Sequence, residues 1–491
     1  MRGGIARGAA WMVLLRLFDR SLGLISTTVL ARLLVPADFG LVAMAMSVIA
    51  VIELATAFSF EIALIQKPAP EREHFDTAWT LNIIIAMLGA LVTVALARPA
   101  ASFYGDPRLG PVMWAIAGAW LISGFENTGT VNFRREMNFS AEFRWMASKR
   151  VLSFVATMIA AFTFRSYWAL VIGMATSRIG GVVISYVVQP FRPRLSLSTA
   201  RELVGFSGWM LANNMAIVVF SRLPQIYVGR VLGAKTLGAY AVSSEIAQMV
   251  HTELVAPINR SMFPGYARLA HDADAFRRVC VEATAVILLI VLPVSAAVAV
   301  LAGPMVRVLL GEQWGEAVPI IRVLAFSGAI AALNSNNLSA YIALGRPHIP
   351  TIFLAARVLI FAAILMALSS TPSAVAVASA ELVASLGSLL VSLPMLLSML
   401  RLTVRDYVAT MWRPLIASAL GAAAVHTAID ALEQSGSFSI AALELLFGLL
   451  LGAMLYPLLL WMLWRVAGRP EGAETSIARR VSDLIRRGKR K

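Results

Sequence analysis

An all-helical protein that crosses the membrane many times is the fold class this sequence predicts, and three observations predict it. Hydrophobic residues make up 59% of the 491 positions and charged residues only 14%, against about 25% charged in a soluble domain. The mean hydropathy is +0.77. Apolar runs of about 20 residues recur along the whole length, which is what a hydrocarbon core of roughly 30 Å demands of a helix. The short alternating segments of an outer-membrane barrel do not occur.

About fourteen hydrophobic segments are expected. They fall near 10–33, 39–66, 76–97, 110–132, 147–164, 167–189, 203–232, 237–263, 279–310, 317–343, 349–369, 373–400, 411–432 and 439–464. The polar, proline-containing stretch QPFRPRLSLSTARE after the sixth segment suggests a linker. The expected organisation is an N-terminal lobe (1–190), a second six-helix lobe (191–400), two further helices (401–465) and a basic tail (466–491). The run from Trp11 to Leu34 is too long for a signal-peptide core and contains Arg16, Asp19 and Arg20, so it reads as a span.

Net charge is +15. In a soluble chain that would point to nucleic acid; here the cations cluster in alternate loops, so no nucleic-acid partner is expected and membrane lipid is. Arg134, Arg135, Arg144, Lys149 and Arg150 share one side with Arg192, Arg194, Arg201, Arg268, Arg277, Arg278, Arg401, Arg405, Arg413 and the tail. The opposite loops hold scattered cations such as Arg98, Arg108, Arg165 and Lys235. The bias of about fourfold places both termini in the cytoplasm. The tail sequence SIARRVSDLIRR suits either an amphipathic helix on the anionic leaflet or a disordered topology determinant.

The chain repeats itself. ARLLVPADFGLVAMA starts at Ala31 and GRVLGAKTLGAYAVS at Gly229; at one constant offset Arg32 aligns with Arg230, Leu34 with Leu232, Gly40 with Gly238 and Ala43 with Ala241. Six spans separate the copies, so the halves insert in the same orientation, the parallel-repeat arrangement of secondary transporters.

An ionisable side chain inside a span costs at least about 2.5–3.5 kcal/mol on insertion scales, so each one is a candidate functional residue. Arg16 and Arg20 lie one turn apart with Asp19 beside them. That face suits an anionic group such as a phosphate; the alternative is snorkelling to the headgroups. Arg178 and Arg222 are flanked by long apolar runs and are expected to face an aqueous cavity, with Pro224 kinking the seventh segment. Glu53 can exchange a proton or pair with an arginine, and Glu61 suits the interface. Glu245, Gln248, His251 and Glu253 form a polar stripe in the eighth segment. Asp19, Glu53 and Glu245 are thus ion-coupling candidates. Asn334, Asn336 and Asn337 carry amides suited to sugar hydroxyls, although such amides also bond neighbouring helices. Arg357 and Glu381 can pair or line a path.

Other chemistry is missing. There is one cysteine, no His/Cys/Asp cluster with metal-ligand spacing, no GxxxxGK[ST] loop and no GxSxG elbow, so neither a metal, a cofactor nor a catalytic residue is expected, and the chain is not read as an enzyme. A membrane-embedded polymerase would need a sizeable outer loop, and the longest outer loops here are about a dozen residues, near ordinary connection length.

The ordered series ARLLVPADFGLVAMA, EIALIQ, FYGDPRL, NFRREMNF, GRVLGAKTLGAYAVSSEI and FPGYARL resembles the Wzx-type polysaccharide transporters. These belong to the multidrug/oligosaccharidyl-lipid/polysaccharide exporter superfamily, and the likeness is to its colanic-acid and exopolysaccharide branch. It covers most of the first 400 residues. The resemblance implies two six-helix lobes around a central, often cationic cavity. It implies a bacterial inner-membrane flippase that moves undecaprenyl-diphosphate-linked oligosaccharide repeat units outward, beside a polysaccharide polymerase and export machinery. No site residue carries over by motif. The competing expectation is a cation-coupled multidrug-type exporter, whose cavities favour acidic and aromatic linings.

Overall fold

The computed structural model describes residues 2–55, 60–67, 69–346, 348–431, 438–470 and 475, and the regular elements among them are all helical. In the first half these are α1 (Arg2–Leu33), α2 (Pro36–Ala55), α3 (Phe60–Gln66), α4 (Arg72–Tyr104), α5 (Leu109–Ser123), α6 (Val131–Arg135), α7 (Phe139–Phe164), α8 (Trp168–Val188) and α9 (Ala200–Met249). In the second half they are α10 (Ala256–Leu269), α11 (Ala273–Val300), α12 (Ala302–Leu309), α13 (Ala317–Ala343), α14 (His348–Ala367), α15 (Ala374–Leu400), α16 (Val404–Asp430) and α17 (Phe438–Val466). The possible amphipathic helix in the basic tail lies outside the described residues.

Among the described residues ten helices are long and apolar enough to cross a membrane, and a bent pair, Leu109–Ser123 with Thr128–Arg135 at 67°, makes an eleventh. The expected fourteen segments all coincide with helices. The first is kept below that apolarity by Arg16, Asp19 and Arg20 on α1, and the eighth by polar side chains such as Glu245, Gln248 and Glu253, while most of the seventh lies outside the residues that this count covers. The loop expected near 233–236 is a single corner inside α9, where Gly233 takes φ 81°, ψ 178°, a region open to glycine and closed to most L-residues. Pro224, expected to kink the seventh segment, lies inside the first arm of α9, and the departure from helical backbone is at Gly233 instead.

The caps are legible in the sequence. Asn138 accepts from the Ala141 amide at the start of α7, Asp272 from Asp274 and Ala275 at the start of α11, and Ser373 from Ala376 at the start of α15. Each satisfies amides that the first helical turn leaves without partners.

By packing the chain divides into two units, Met1–Ala241 and Val242–Lys491. In the first unit α7 packs on α8 and α1, and α5 on α4 and α8. Small residues permit this: a Cβ on Gly124 would lie 2.6 Å from the Ala86 Cβ, and one on Gly89 2.5 Å from the Trp120 ring. Close packing of this kind holds helices together where lipid removes the hydrophobic drive. The linker after α8 also belongs to this unit. Its Arg194 and Ser196 amides donate to Asp76 Oδ1 and Thr80 Oγ1, each at 2.9 Å, and Asn127 Nδ2 donates to the Phe191 carbonyl at 2.7 Å. In the second unit α13 packs between α11 and α15, α14 on α15, and α16 between α11 and α17. One of its cores gathers Tyr266, Phe276, Cys280, Tyr341 and Phe353.

Candidate functional site

In the first unit the charged side chains within the helices are tied to one another. Arg178 on α8 donates from Nη2 to Glu53 Oε1 on α2, and its guanidinium lies 5.8 Å from the centre of the Trp120 ring. The two side chains are 25% and 35% exposed, so the pair is partly shielded and still reachable. Glu53 therefore follows the pairing alternative in this conformation. Arg222 donates to Gln225 Oε1 at 3.0 Å, and Ser47 on α2 reaches the same oxygen at 3.5 Å. Arg178 is thus tethered to α2 directly, and Arg222 only through Gln225, whose partner Ser47 lies six residues before Glu53.

On α1, Asp19 pairs with Arg150 of α7 at 2.8 Å. Arg16 and Arg20 are half-buried, and Arg20 Nε is buried without a hydrogen-bond partner. Arg150 was read from sequence as a loop cation. Helix α7 begins at Phe139, before the expected 147, because Asn138 caps it; Lys149 and Arg150, counted with the loop cations although they fall at the start of the expected segment, therefore lie about three turns inside the helix. Lys149 then lies 3.5 Å from Glu126 and 4.5 Å from the Trp145 ring centre. Glu61, expected at the interface, is 3.4 Å from Arg134, which also holds buried Glu142 at 2.6 Å.

In the second unit the asparagine run of α13 turns inward. Asn336 is wholly buried: its Oδ1 accepts from Tyr266 OH at 2.9 Å and its Nδ2 donates to Thr284 Oγ1 at 3.0 Å. Asn337 is 1% exposed with neither amide atom bonded. Asn334 donates to the Ser385 carbonyl and accepts from Ser392 Oγ, both at 3.3 Å. In place of a path-lining position, Asn336 and Asn337 occupy the helix packing, because α10, α11 and α15 close on that face of α13. Arg357 and Glu381 pair at 3.4 Å. Glu245 is exposed. Among the described residues no group of three metal-ligating side chains occurs.

The second unit also holds an apolar cavity of about 460 Å³ between α11, α12, α16 and α17, lined by residues such as Pro293, Leu301, Val425, Gly448 and Tyr456. Its walls offer no charged side chain, so what it can accept is hydrocarbon.

The profile of the family described as "Polysaccharide biosynthesis protein" matches residues 29–319, more than half of the chain. The chain belongs to this family. Among family-level relatives it is 26% identical over 332 residues to the succinoglycan biosynthesis transport protein ExoT of Rhizobium meliloti, covering 66% of each chain. It is 21% identical to the lipopolysaccharide biosynthesis protein WzxC of Escherichia coli, over 83% of this chain and 84% of that one. The lipid II flippase MurJ, in an inward closed conformation, superposes with a TM-score of 0.72 over 93% of this chain and 99% of its own, at 11% identity. That likeness gives the chain the fold of MurJ, and ExoT is named a transport protein.

Proposed function

We propose that this chain is a flippase that carries undecaprenyl-diphosphate-linked oligosaccharide repeat units across the bacterial inner membrane, outward from the cytoplasmic face, by alternating access. Family membership and the MurJ-like fold support the class. The observation that carries the chemistry is the Arg178–Glu53 pair, a guanidinium at membrane depth whose counter-ion is a protonatable carboxylate. A diphosphate presents more negative charge than a carboxylate and matches the guanidinium fork. It displaces Glu53 from the guanidinium. Arg222, Arg16 and Arg20 supply further cations on the same unit. The prenyl chain stays in hydrocarbon. Return of Glu53 to Arg178 after release re-forms the pair and resets the cycle. Both termini lie in the cytoplasm, and the product feeds a polysaccharide polymerase and its export machinery.

Substitution of both Arg178 and Arg222 by Ala tests this reading. Polymer export is expected to fall to background with protein level unchanged. Normal export in the double variant overturns the charge-pairing step. The multidrug reading fares worse, because the acids that such cavities leave open for cationic substrates are here engaged with arginines: Glu53 with Arg178 and Asp19 with Arg150. A knockout that becomes drug-sensitive while still exporting polymer would restore it.

A further inference from the structure

The second arm of α9 runs into a π-helical turn, Val250–Val255, before continuing as α10. Such turns insert one residue into an α-helix and re-aim everything after it. On the inner side of this arm Ser243 donates to the Ala317 carbonyl at 3.3 Å, and the Ala247 carbonyl lies 3.1 Å from where a Cβ on Gly328 would stand. Buried Val250 continues that side. The next buried position is Val255, five residues on, followed by Asn259 and Tyr266. The extra residue therefore turns Asn259 onto Ser335 Oγ at 2.8 Å and Tyr266 onto Asn336 Oδ1 at 2.9 Å.

The outer side changes with it. Glu245, Gln248 and Thr252 are exposed, at helical spacing and opposite the packed face. Beyond the turn Arg260 and Ser261 are exposed. Without the inserted residue, the face that continues from Val250 would bury position 261 and swing 259 outward. Gln248 and Arg260 are separated by about 18 Å of helix at 1.5 Å per residue. Gln248 and Thr252 fall near the middle of the segment expected to cross the membrane, where a row of polar side chains is tolerated only against water or a polar ligand.

We propose that Glu245, Gln248 and Thr252 form the glycan-contacting track of the second unit, with Arg260 as its cationic end for the diphosphate. This rests on the flippase reading above. Amide, carboxylate and hydroxyl groups supply both the donors and the acceptors that sugar hydroxyls need. It reassigns that task from the buried Asn336 and Asn337 to exposed side chains, of which Gln248 donates from Nε2 to Ser244 Oγ at 2.9 Å and Thr252 from Oγ1 to Glu253 Oε1 at 3.3 Å. The π turn is what brings the cation onto the same face as the polar row.

The test uses the purified full chain in nanodiscs and two probes: undecaprenyl diphosphate, and the lipid-linked repeat unit extracted from the producing cells. The wild type is expected to bind the repeat unit at least tenfold more tightly than undecaprenyl diphosphate. The Q248A–T252V variant is expected to bind both alike, with undecaprenyl diphosphate affinity unchanged. Q248N–T252S, which keeps the amide and hydroxyl, retains most of the preference, and R260Q weakens both probes severalfold. A preference that survives in Q248A–T252V overturns the track, as does equal loss in the conservative pair. An R260Q affinity equal to wild type removes the cationic end. A wild type that binds neither probe overturns the flippase reading itself, and the track with it.

Discussion

Gly40 and Gly238 each lie against the backbone of the other's turn. A Cβ on Gly40 would stand 1.7 Å from the Ala234 carbonyl oxygen, and a Cβ on Gly238 would stand 1.8 Å from the Pro36 carbonyl oxygen. Gly238 aligns with Gly40, and Ala234 with Pro36, at the one offset that relates the two copies of the repeat. The contact is therefore reciprocal: the same backbone surface in each copy receives the same glycine of the other. The glycines are required by this approach rather than by their own dihedral angles, since neither takes a positive φ.

An added methyl at either position forces the two turns apart. Gly40→Ala is expected to lower stability by about 1–3 kcal/mol, the usual cost of overpacking, and to reduce polymer export with it. Gly238→Ala behaves alike. The double variant distinguishes a shared contact from two separate defects. Once one methyl has separated the turns, the second meets less resistance, so the double change costs less than the sum of the singles. Thermal unfolding of the three purified variants measures this, and strict additivity contradicts a reciprocal clasp.

The Arg178–Glu53 pair gives a second prediction. Both side chains are about one quarter to one third exposed, so removing one partner costs an intermediate amount, about 1–2 kcal/mol, between exposed and buried pairs. Glu53→Gln is expected to leave Arg178 free and to tighten diphosphate binding while slowing turnover, because release loses its competitor. The exchange E53R–R178E restores stability to near wild type but not export, since it moves the cation to α2 and away from Trp120. Undecaprenyl diphosphate binding and polymer export, read beside melting temperature, separate these outcomes. Full export in the exchanged variant contradicts a positional role for Arg178.

The asparagines of α13 divide by what their amides touch. Asn336→Ala leaves Tyr266 OH buried without this acceptor, while Thr284 Oγ1 keeps its bond to the Cys280 carbonyl at 2.9 Å; a buried polar group left unpaired costs about 1–3 kcal/mol. A loss of about 1–3 kcal/mol is expected, with no change in substrate preference. Asn337 has both amide atoms buried and unbonded, so Asn337→Leu removes a desolvated amide from an apolar site and is expected to be neutral or stabilising. Unfolding midpoints of the two variants check the contrast. A large loss for Asn337→Leu contradicts the buried, unbonded assignment.

These residues also mark where sequence reasoning reached its limit. Apolar runs fix helix existence well, because lipid leaves no other use for them: the segments expected at 317–343 and 373–400 return as α13 (Ala317–Ala343) and α15 (Ala374–Leu400). Charges inside spans were legible too, as was the option that Glu53 pairs with an arginine. What periodicity could not supply was the direction of a side chain around its helix once the register changed. The π turn at Val250–Val255 moves every later residue by one position, so Asn259 and Tyr266 close on α13 and bury Asn336. No composition rule signals that insertion. Arg150 was missed for a different reason: at the start of the expected segment 147–164 it was counted with the loop cations, whereas the Asn138 cap puts the helix start about two turns earlier and Arg150 within reach of Asp19.

The loop between α4 and α5 gives the last prediction, and it concerns pH. Gly105 ends α4 in the left-handed region, φ 70°, which glycine adopts without steric cost. The chain then turns so that Asp106 faces Arg108. Asp106 Oδ1 accepts from the Arg108 amide and from its Nε, each at 3.0 Å, and Oδ2 accepts from Nη2 at 2.7 Å. This bidentate pairing holds the Asp106 carboxyl below the usual carboxylate range, the Arg108 side-chain hydrogen bond being the main cause. A carboxyl whose folded value is lowered contributes stability above its unfolded value of about 3.9, and that contribution is lost as pH falls through the folded value. Wild type and Asp106→Asn are therefore expected to differ in melting temperature by a constant amount above about pH 5 and to converge as the pH drops below about 4. The size should fit a charge-assisted hydrogen bond in a partly shielded loop, about 1–2 kcal/mol. Arg108→Gln should show the same convergence, since it removes the other half of the same contact. Melting curves of the three proteins between pH 3 and 7 are the measurement, and a gap that persists unchanged into acid would mean that Asp106 stabilises the turn without its charge.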